Sequence, residues 1–218
     1  MRYLVEREKI VDYGKKLITE KLTTGTGGNI SIFLREDQCM LISPSGIPYS
    51  QTTPEDIVLL DLDGNVLEGN RKPSSEYDMH RIFYQKTQHV NAVVHTHSEY
   101  ATSISCLNQE IPAVHYLIGS IGYSIKCCEY KTFGTYELAE AAYKTMGENN
   151  GILLGNHGVL ATGKDIATAF SVAIDIEFLA KLYIRAKSIG APVVLSKEDM
   201  NICLKKFETY GQVFVEEK

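Results

Sequence analysis

The sequence predicts an α/β fold with a mixed, largely antiparallel central sheet and helices on both of its faces. Apolar segments at 30–34, 39–43 and 57–60 follow one another without a helical pattern between them, which favours antiparallel pairing. Later in the chain, helical patterns alternate with short apolar segments, which favours helices on both sides of the sheet. The 218 residues suit one domain, so we predict a single domain spanning 1–218.

Composition and charge exclude several classes of function. The net charge of −5 gives no electrostatic attraction to nucleic acid or to an anionic membrane surface. The first seven residues lack the apolar region of a signal peptide, and no apolar run is long enough for a transmembrane helix. The five cysteines are scattered, without the spacing of a disulfide framework or a CxxC zinc site. We therefore expect reduced thiols in a cytoplasmic protein.

The chain opens with a helix and a glycine-rich turn. Residues 4–22 place Ile10, Leu17 and Leu22 on one helical face, which predicts an amphipathic packing helix. The turn at 23–29, which contains Gly28 and Asn29, offers backbone N–H groups that can cradle an anion. It leads into a strand and not a helix, so it is not a P-loop, and taken alone it is better explained as a plain connecting loop.

Two further turns carry hydroxyl groups. The second strand ends at 44–48, which contains Ser45 and Gly46, and a tight turn follows the third strand at 63–65. We predict that a helix opens at Lys72-Pro73-Ser74-Ser75-Glu76 and runs to about Gln88, with Ser75 and Asp78 as a capping box. A helix start favours anions, although the two serines taken alone are better explained by ordinary capping.

The stretch Val93-Val94-His95-Thr96-His97 is the strongest chemical signal. Residues two apart in a strand point to the same face, so both imidazoles are expected side by side at the end of a buried strand. A divalent metal satisfies two such groups at once. The alternative is that each histidine is bonded separately to backbone. A rival metal pair is Glu76 with His80, which we rank lower because nothing apolar forces His80 inward.

The second half of the chain adds a third histidine. Helices are predicted at 99–107, 136–146, 164–188 and 196–210, an extended segment at 111–118, and strands at 124–128, 151–155 and 159–161. His157 lies at a turn between Asn156 and Gly158, where it is either a third ligand or a histidine bonded to backbone. His89 and His115 stand alone in mixed surroundings, so we interpret both as structural.

Together these residues indicate a particular chemistry. Three histidines suit zinc better than a hard cation that prefers oxygen, and three protein ligands with an open position are typical of a catalytic site. The hydroxyl-rich turns would hold a small anion. A zinc Lewis acid beside a phosphate pocket and a carboxylate suggests a reaction at the carbonyl of a phosphorylated sugar.

These motifs resemble, in order, those of the class II aldolase/adducin family. The matching segments are Gly28-Asn29-Ile30-Ser31, Ser43-Pro44-Ser45-Gly46-Ile47-Pro48-Tyr49, Pro73-Ser74-Ser75-Glu76, Val94-His95-Thr96-His97 and Asn156-His157-Gly158. Three more segments, at 111–116, 132–135 and 206–211, resemble members that cleave L-fuculose 1-phosphate. The resemblance covers nearly the whole chain.

The resemblance implies roles for particular residues. One zinc ion per subunit is expected, with Glu76 binding it at rest and acting as the base when substrate displaces the carboxylate. The expected zinc ligands are His95, His97, His157 and Glu76; the expected phosphate-binding residues are Gly28, Asn29, Ser45, Gly46, Ser74 and Ser75. Tyr116 is expected to donate a proton from a neighbouring subunit, and Tyr210 to lie near the substrate. A homotetramer with sites at subunit interfaces is expected.

The implied reaction is cleavage of L-fuculose 1-phosphate to dihydroxyacetone phosphate and L-lactaldehyde. An L-ribulose-5-phosphate 4-epimerase is the first alternative, but it usually carries His-Gly-Pro where this chain has His157-Gly158-Val159. A sugar-phosphate dehydratase is the second. A non-catalytic interaction domain of the adducin type is disfavoured by retention of the three histidines and Glu76. Thr96 and Asn156 differ from the residues of some members without removing a ligand.

Overall fold

The computed structural model describes residues 1–207, in which eight strands form one continuous sheet. The strands are β1 (Asn29–Leu34), β2 (Cys39–Ile42), β3 (Val58–Asp61), β4 (Val66–Glu68), β5 (Ala92–Thr96), β6 (Cys127–Cys128), β7 (Gly151–Leu154) and β8 (Gly158–Gly163). Their order across the sheet is β4-β3-β2-β1-β5-β8-β7-β6. All neighbouring pairs are antiparallel except β6 and β7, so the prediction of a mixed, largely antiparallel sheet is confirmed.

Helices cover both faces of this sheet, as predicted. They are α1 (Leu4–Thr19), α2 (Tyr77–Lys86), α3 (Glu99–Ser105), α4 (Tyr136–Met146), α5 (Ile166–Ile189) and α6 (Lys197–Phe207), with short 3-10 helices at Pro54–Asp56 and Tyr116–Ser120. Alternation along each strand divides the core in two. Val94 of β5 packs in the cluster with α1, α3 and α5, whereas Val93 packs in the cluster with α2 and α4.

The start of α2 differs from its prediction. The helix begins at Tyr77, with Glu76 at the N-cap position and no hydrogen bond from its side chain to the helix. The backbone N–H of Ser74 instead bonds the carbonyl of Ser43 at 3.1 Å, which holds the preceding segment in an extended conformation. Asp78 pairs with Arg81. The predicted capping box of Ser75 and Asp78 is therefore wrong.

Two other predictions concern the segment around residue 116 and the end of the last helix. Residues 116–120 form a 3-10 helix where we expected an extended chain, and the His115 ring accepts a hydrogen bond from the Leu117 N–H at its start. The predicted continuation of the last helix to 210 lies outside the described residues. Among residues 1–207, no helix combines the length and the apolar character needed to cross a membrane.

The sheet brings distant parts of the chain to one edge. Because β5 runs antiparallel to both β1 and β8, the end of β5 lies beside the starts of the other two strands. Asn29 at the start of β1 is directly opposite His95, and Leu160 of β8 is opposite His95 on the other side. The turn that precedes β8 carries His157.

Candidate metal centre

Three histidines converge at this edge of the sheet. His95 lies in β5, His97 follows the strand, and His157 lies in the turn between β7 and β8. Asn156 adopts a left-handed conformation with φ of 54°, which asparagine tolerates better than most residues. Gly158 allows the turn to approach β5, because a Cβ there would lie 2.3 Å from the carbonyl oxygen of Thr96. The predicted convergence of the three imidazoles is thus present in the structure.

The ring nitrogens of these histidines are close enough to share one ion. One nitrogen from each of the three rings lies within 4.8 Å of the other two. His95 Nε2 and His97 Nε2 are 2.9 Å apart. His95 Nδ1 donates to the carbonyl oxygen of Val159 at 2.8 Å, which leaves the Nε2 lone pair directed at the other rings.

Burial keeps these imidazoles neutral near neutral pH. Loss of solvation, reinforced by the neighbouring imidazoles, lowers the pKa of His95 well below its usual range and that of His97 to about 4. Burial also lowers the pKa of His157, against the opposing attraction of Glu76. Neutral rings present lone pairs, and two facing lone pairs repel unless a proton or a cation lies between them.

Glu76 completes the cluster. Its Oε2 atom lies 3.4 Å from His95 Nε2 and its Oε1 atom 3.4 Å from His157 Nε2. The carboxylate is buried, and Oε2 accepts a hydrogen bond from Asn29 Nδ2 at 2.9 Å. Glu76 Oε1 and His157 Nδ1 have no hydrogen-bond partner among the described residues. An orphaned carboxylate oxygen beside three neutral imidazoles fits a divalent cation that prefers nitrogen ligands.

The rival pair of Glu76 with His80 is not formed. His80 is completely buried, so the expectation that nothing forces it inward was wrong. Its ring hydrogen-bonds Asn29 and Ser31 and takes no place in the cluster. The reason is that α2 packs this side against the sheet, together with Phe83 and Tyr84. His89 is exposed, and it is also outside the cluster.

The two hydroxyl-rich turns are linked to each other and to the backbone of Glu76. An isolated bridge joins Pro44 to Pro73, and the Ser45 N–H bonds the carbonyl of Lys72 at 2.9 Å, so these two turns are held together. Ser74 is buried and its Oγ atom accepts from the Glu76 N–H at 3.3 Å. Ser45, Gly46 and Ser75 are exposed.

The glycine-rich turn lies against the histidines from the other side. Gly28 has a φ of 72°, and a Cβ at this position would lie 2.6 Å from the carbonyl oxygen of His95. A Cβ at Gly27 would lie 2.8 Å from His97 Nδ1. Glycine is therefore required here for close approach. The structure thus brings Gly28 and Asn29 against the cluster, and Ser74 contacts the backbone of Glu76.

A cavity of about 300 Å³ opens onto the cluster, and its lining is Glu76, His97, Tyr130, Phe133, Asn156 and His157. Tyr130 and Phe133 are both more than half exposed. Sequence reasoning did not assign Tyr130 or Phe133 to the site. The signal that the sequence offered was the presence of two aromatic residues shortly before Gly134. A Cβ added at Gly134 would lie 3.0 Å from the carbonyl oxygen of Ser75, so this segment lies close to the residue that precedes Glu76.

The two predicted tyrosines are not part of this cavity. Tyr116 is 57% exposed, stacks on Phe207 with ring centroids 6.4 Å apart, and lines a different cavity with Leu117 and Cys203. A single chain therefore does not bring Tyr116 into the cavity that opens onto the three histidines. Tyr210 lies outside the described residues.

Comparisons with known proteins agree with this arrangement. The family model described as "Class II Aldolase and Adducin N-terminal domain" matches residues 8–184. The 5-deoxy-D-ribulose 1-phosphate aldolase of Bacillus thuringiensis serovar kurstaki is 55% identical over 207 residues, which are 95% of this chain and 97% of the relative. The L-fuculose phosphate aldolase of Escherichia coli K12 is 41% identical, with 95% and 98% covered.

A solved structure described as L-fuculose 1-phosphate aldolase superposes with a TM-score of 0.92 at 45% identity, covering 93% of this chain and 96% of that one. The likeness therefore extends over nearly the whole of this chain. On this evidence the chain belongs to the class II aldolase and adducin family.

Proposed function

We propose that this protein cleaves a deoxyketose 1-phosphate between C3 and C4, by a metal-dependent retro-aldol reaction that releases dihydroxyacetone phosphate and a short aldehyde. The observation that carries the proposal is the contact of the Glu76 carboxylate with both His95 and His157, at 3.4 Å each. A proton-transfer group is thereby held beside a set of metal ligands, and hydroxyl-rich turns lie next to it.

His95, His97 and His157 would hold the metal, with Glu76 as the fourth ligand before substrate arrives. A nitrogen-rich set of this kind suits zinc, with one ion per subunit. When bound, the ion supplies Lewis-acid stabilisation of the negative charge that develops on the substrate oxygens.

Glu76 is the proton-transfer residue. In the cleavage direction the C3–C4 bond breaks, and the Glu76 carboxyl group delivers a proton to C3 of the fragment that becomes dihydroxyacetone phosphate. In the synthetic direction the carboxylate removes the same proton. The Asn29 amide holds Oε2 of this carboxylate at 2.9 Å, which fixes its orientation.

The substrate phosphate is held without arginine. Gly28, Asn29, Ser45, Gly46, Ser74 and Ser75 supply backbone N–H groups, hydroxyls and one side-chain amide as donors. Support comes from the linked turns at 43–45 and 72–74, which place exposed Ser45 and Ser75 beside the buried Ser74.

The remaining proton transfer is assigned to a second subunit. In the cleavage direction Tyr116 of a neighbouring protomer would accept the proton that the C4 hydroxyl loses, and in the synthetic direction it would return that proton to the aldehyde oxygen. Tyr210 would approach the same substrate, in a homotetramer with sites at subunit interfaces. The exposure of the Tyr116 ring in the single chain supports this assignment, because an exposed aromatic side chain is available for contact with another protomer.

Two substrates compete, and both end in a methyl group. We rank 5-deoxyribulose 1-phosphate first, because the relative named for it is 55% identical and the relative named for L-fuculose phosphate is 41% identical. L-Fuculose 1-phosphate, the substrate predicted from the sequence, is second. Tyr130 and Phe133 line the cavity, and aromatic walls of this kind suit the methyl end of either substrate.

The test is a coupled assay that measures release of dihydroxyacetone phosphate from 5-deoxyribulose 1-phosphate, L-fuculose 1-phosphate and L-rhamnulose 1-phosphate. We expect release from the first two, with a higher kcat/KM for 5-deoxyribulose 1-phosphate. L-Ribulose 5-phosphate is included to detect epimerisation. Epimerisation without release of a triose phosphate, or no reaction with any of the four, would overturn the proposal.

A further inference from the structure

A buried chain of hydrogen bonds leads away from Glu76 into the layer between the sheet and α2. Asn29 Nδ2 contacts Glu76 Oε2 at 2.9 Å, and Asn29 Oδ1 contacts His80 Nε2. His80 Nδ1 contacts Ser31 Oγ at 2.7 Å, and Ser31 Oγ contacts the Tyr84 hydroxyl.

The four side chains of this chain are shielded from water. Asn29, Ser31, His80 and Tyr84 are each at most 4% exposed. Inside a protein, a polar group has no solvent with which to exchange hydrogen bonds, so donors and acceptors must match one another. The positions of the hydrogen atoms along the chain are therefore set by the carboxylate at its Glu76 end.

The Glu76 end fixes the direction of the first two bonds. A carboxylate only accepts, so Asn29 must present its NH2 group to Oε2 and its carbonyl oxygen to His80. A carbonyl oxygen also only accepts, so His80 must carry its hydrogen on Nε2. The opposite tautomer would force the amide to turn its oxygen toward the carboxylate, where two acceptors repel.

The far end agrees with the same direction. With its hydrogen on Nε2, His80 has a lone pair on Nδ1 and accepts from the Ser31 hydroxyl. Ser31 then accepts from the Tyr84 hydroxyl. Every donor in the chain points toward Glu76, and no bond has to be reversed to satisfy another.

We propose that His80 is a positioning residue, whose Nε2–H tautomer locks the Asn29 amide so that its NH2 group holds Glu76 Oε2 and leaves Oε1 facing the histidine cluster. The second hydrogen of this NH2 group stays available to a bound phosphate. The effect on turnover rests on the proposed function, whereas the tautomer and the amide orientation do not.

Nitrogen-15 NMR of the metal-free protein, with the ring nitrogens of His80 assigned, tests the tautomer directly. We expect a bare Nδ1 and a protonated Nε2 that stay unchanged between about pH 6 and 8. A hydrogen on Nδ1, or an equal mixture of tautomers, would overturn the proposal. This measurement needs no variant and no substrate, so it stands whether or not the aldolase assay succeeds.

Two matched variants separate positioning from simple packing. Glutamine places an amide nitrogen near the former Nε2 position, whereas asparagine places its polar group near Nδ1. We expect His80→Gln to retain most of kcat and His80→Asn to lower kcat about 10-fold or more, with both variants folded and both binding the metal. Equal kcat losses in the two variants would overturn the proposal. Asparagine is also one methylene smaller than glutamine, so urea unfolding of both variants is measured to separate a loss of packing from the loss of the donor at the Nε2 position.

The two proposals can fail separately. A wild-type protein without aldolase activity, but with the Nε2–H tautomer, would refute the proposed function and leave the positioning role of His80 intact. An active wild-type protein in which His80→Asn is as active as His80→Gln would do the reverse.

Discussion

Glu76 Oε1 lies 3.4 Å from His157 Nε2, although the two residues are brought together from different halves of the chain. This oxygen has no hydrogen-bond partner among the described residues, and neither does Nδ1 of the same histidine. Buried polar atoms are normally satisfied. The pair is therefore better explained as part of a ligand and proton-transfer site than as a structural contact.

Replacing Glu76 should separate metal binding from turnover. We expect Glu76→Ala to keep the metal on the three histidines but to lower kcat by about 10²- to 10⁴-fold, because the general base is removed. Glu129→Gln is the control, since that carboxylate is exposed and outside the cluster. An undiminished rate of retro-aldol cleavage in Glu76→Ala would refute the assignment.

Ser75→Ala should weaken binding of phosphate-bearing ligands. Ser75 is exposed in the segment before α2, and loss of one hydrogen bond to a charged group costs about 1.5–3 kcal/mol, or roughly a 10- to 100-fold rise in Kd. Isothermal titration with dihydroxyacetone phosphate gives the Kd, with the exposed Ser188→Ala as the control. Equal affinity in both variants would count against the phosphate pocket.

The role of Tyr116 can be tested by mixing subunits. Glu76→Ala and Tyr116→Phe should each be nearly inactive alone. If Tyr116 acts on the site of a neighbouring protomer, random mixed oligomers contain intact sites at about a quarter of positions. We therefore expect partial recovery of activity after the two variants are dissociated and reassembled together. Absence of recovery, with mixed oligomers demonstrated, would contradict action across an interface.

The buried His80 should make stability depend on pH. Burial lowers the pKa of His80 to about 3, below about 6.5 in the unfolded chain. Between these two values the unfolded state binds a proton that the folded state does not, so the free energy of unfolding falls as pH decreases. The stability that the neutral His80 ring contributes is complete above about pH 6.5 and is lost as the pH falls toward 3.

This pH effect can be measured by urea unfolding of the metal-free protein. Between about pH 6 and 4, the free energy of unfolding of the wild type should fall by up to about 1.4 kcal/mol per pH unit more than that of His80→Gln, in which position 80 no longer titrates. If the free energy of unfolding depends on pH in the same way in both proteins, the pKa of His80 is not lowered in the folded state.

The convergence of the three histidines and the packing of helices on both faces of the sheet were predictable from local patterns. Alternation along a strand requires His95 and His97 to share a face, and a turn between two apolar strands delivers His157 near them. What joins these segments is the antiparallel pairing of β5 with β8, which local patterns do not indicate because α3, α4 and two other strands lie between them in the chain. The resemblance to known motifs supplied the remaining roles.

The environment of His80 was not predictable in the same way. Its burial depends on the angle at which α2 packs on the sheet and on partners from β1, Asn29 and Ser31, which are distant in sequence. Helical periodicity alone allows both an inward and an outward orientation. The cavity wall formed by Tyr130 and Phe133 likewise depends on the course of a loop, which residue patterns do not determine.

The metal content of the purified protein tests the central claim most directly. We expect mass spectrometry of protein prepared without added metal to give one divalent ion per chain, most often zinc. The ion should be lost in His95→Ala and His157→Ala and retained in the exposed control His89→Ala. A wild-type protein that binds no divalent ion, or one whose aldolase activity persists after complete chelation, would contradict the account.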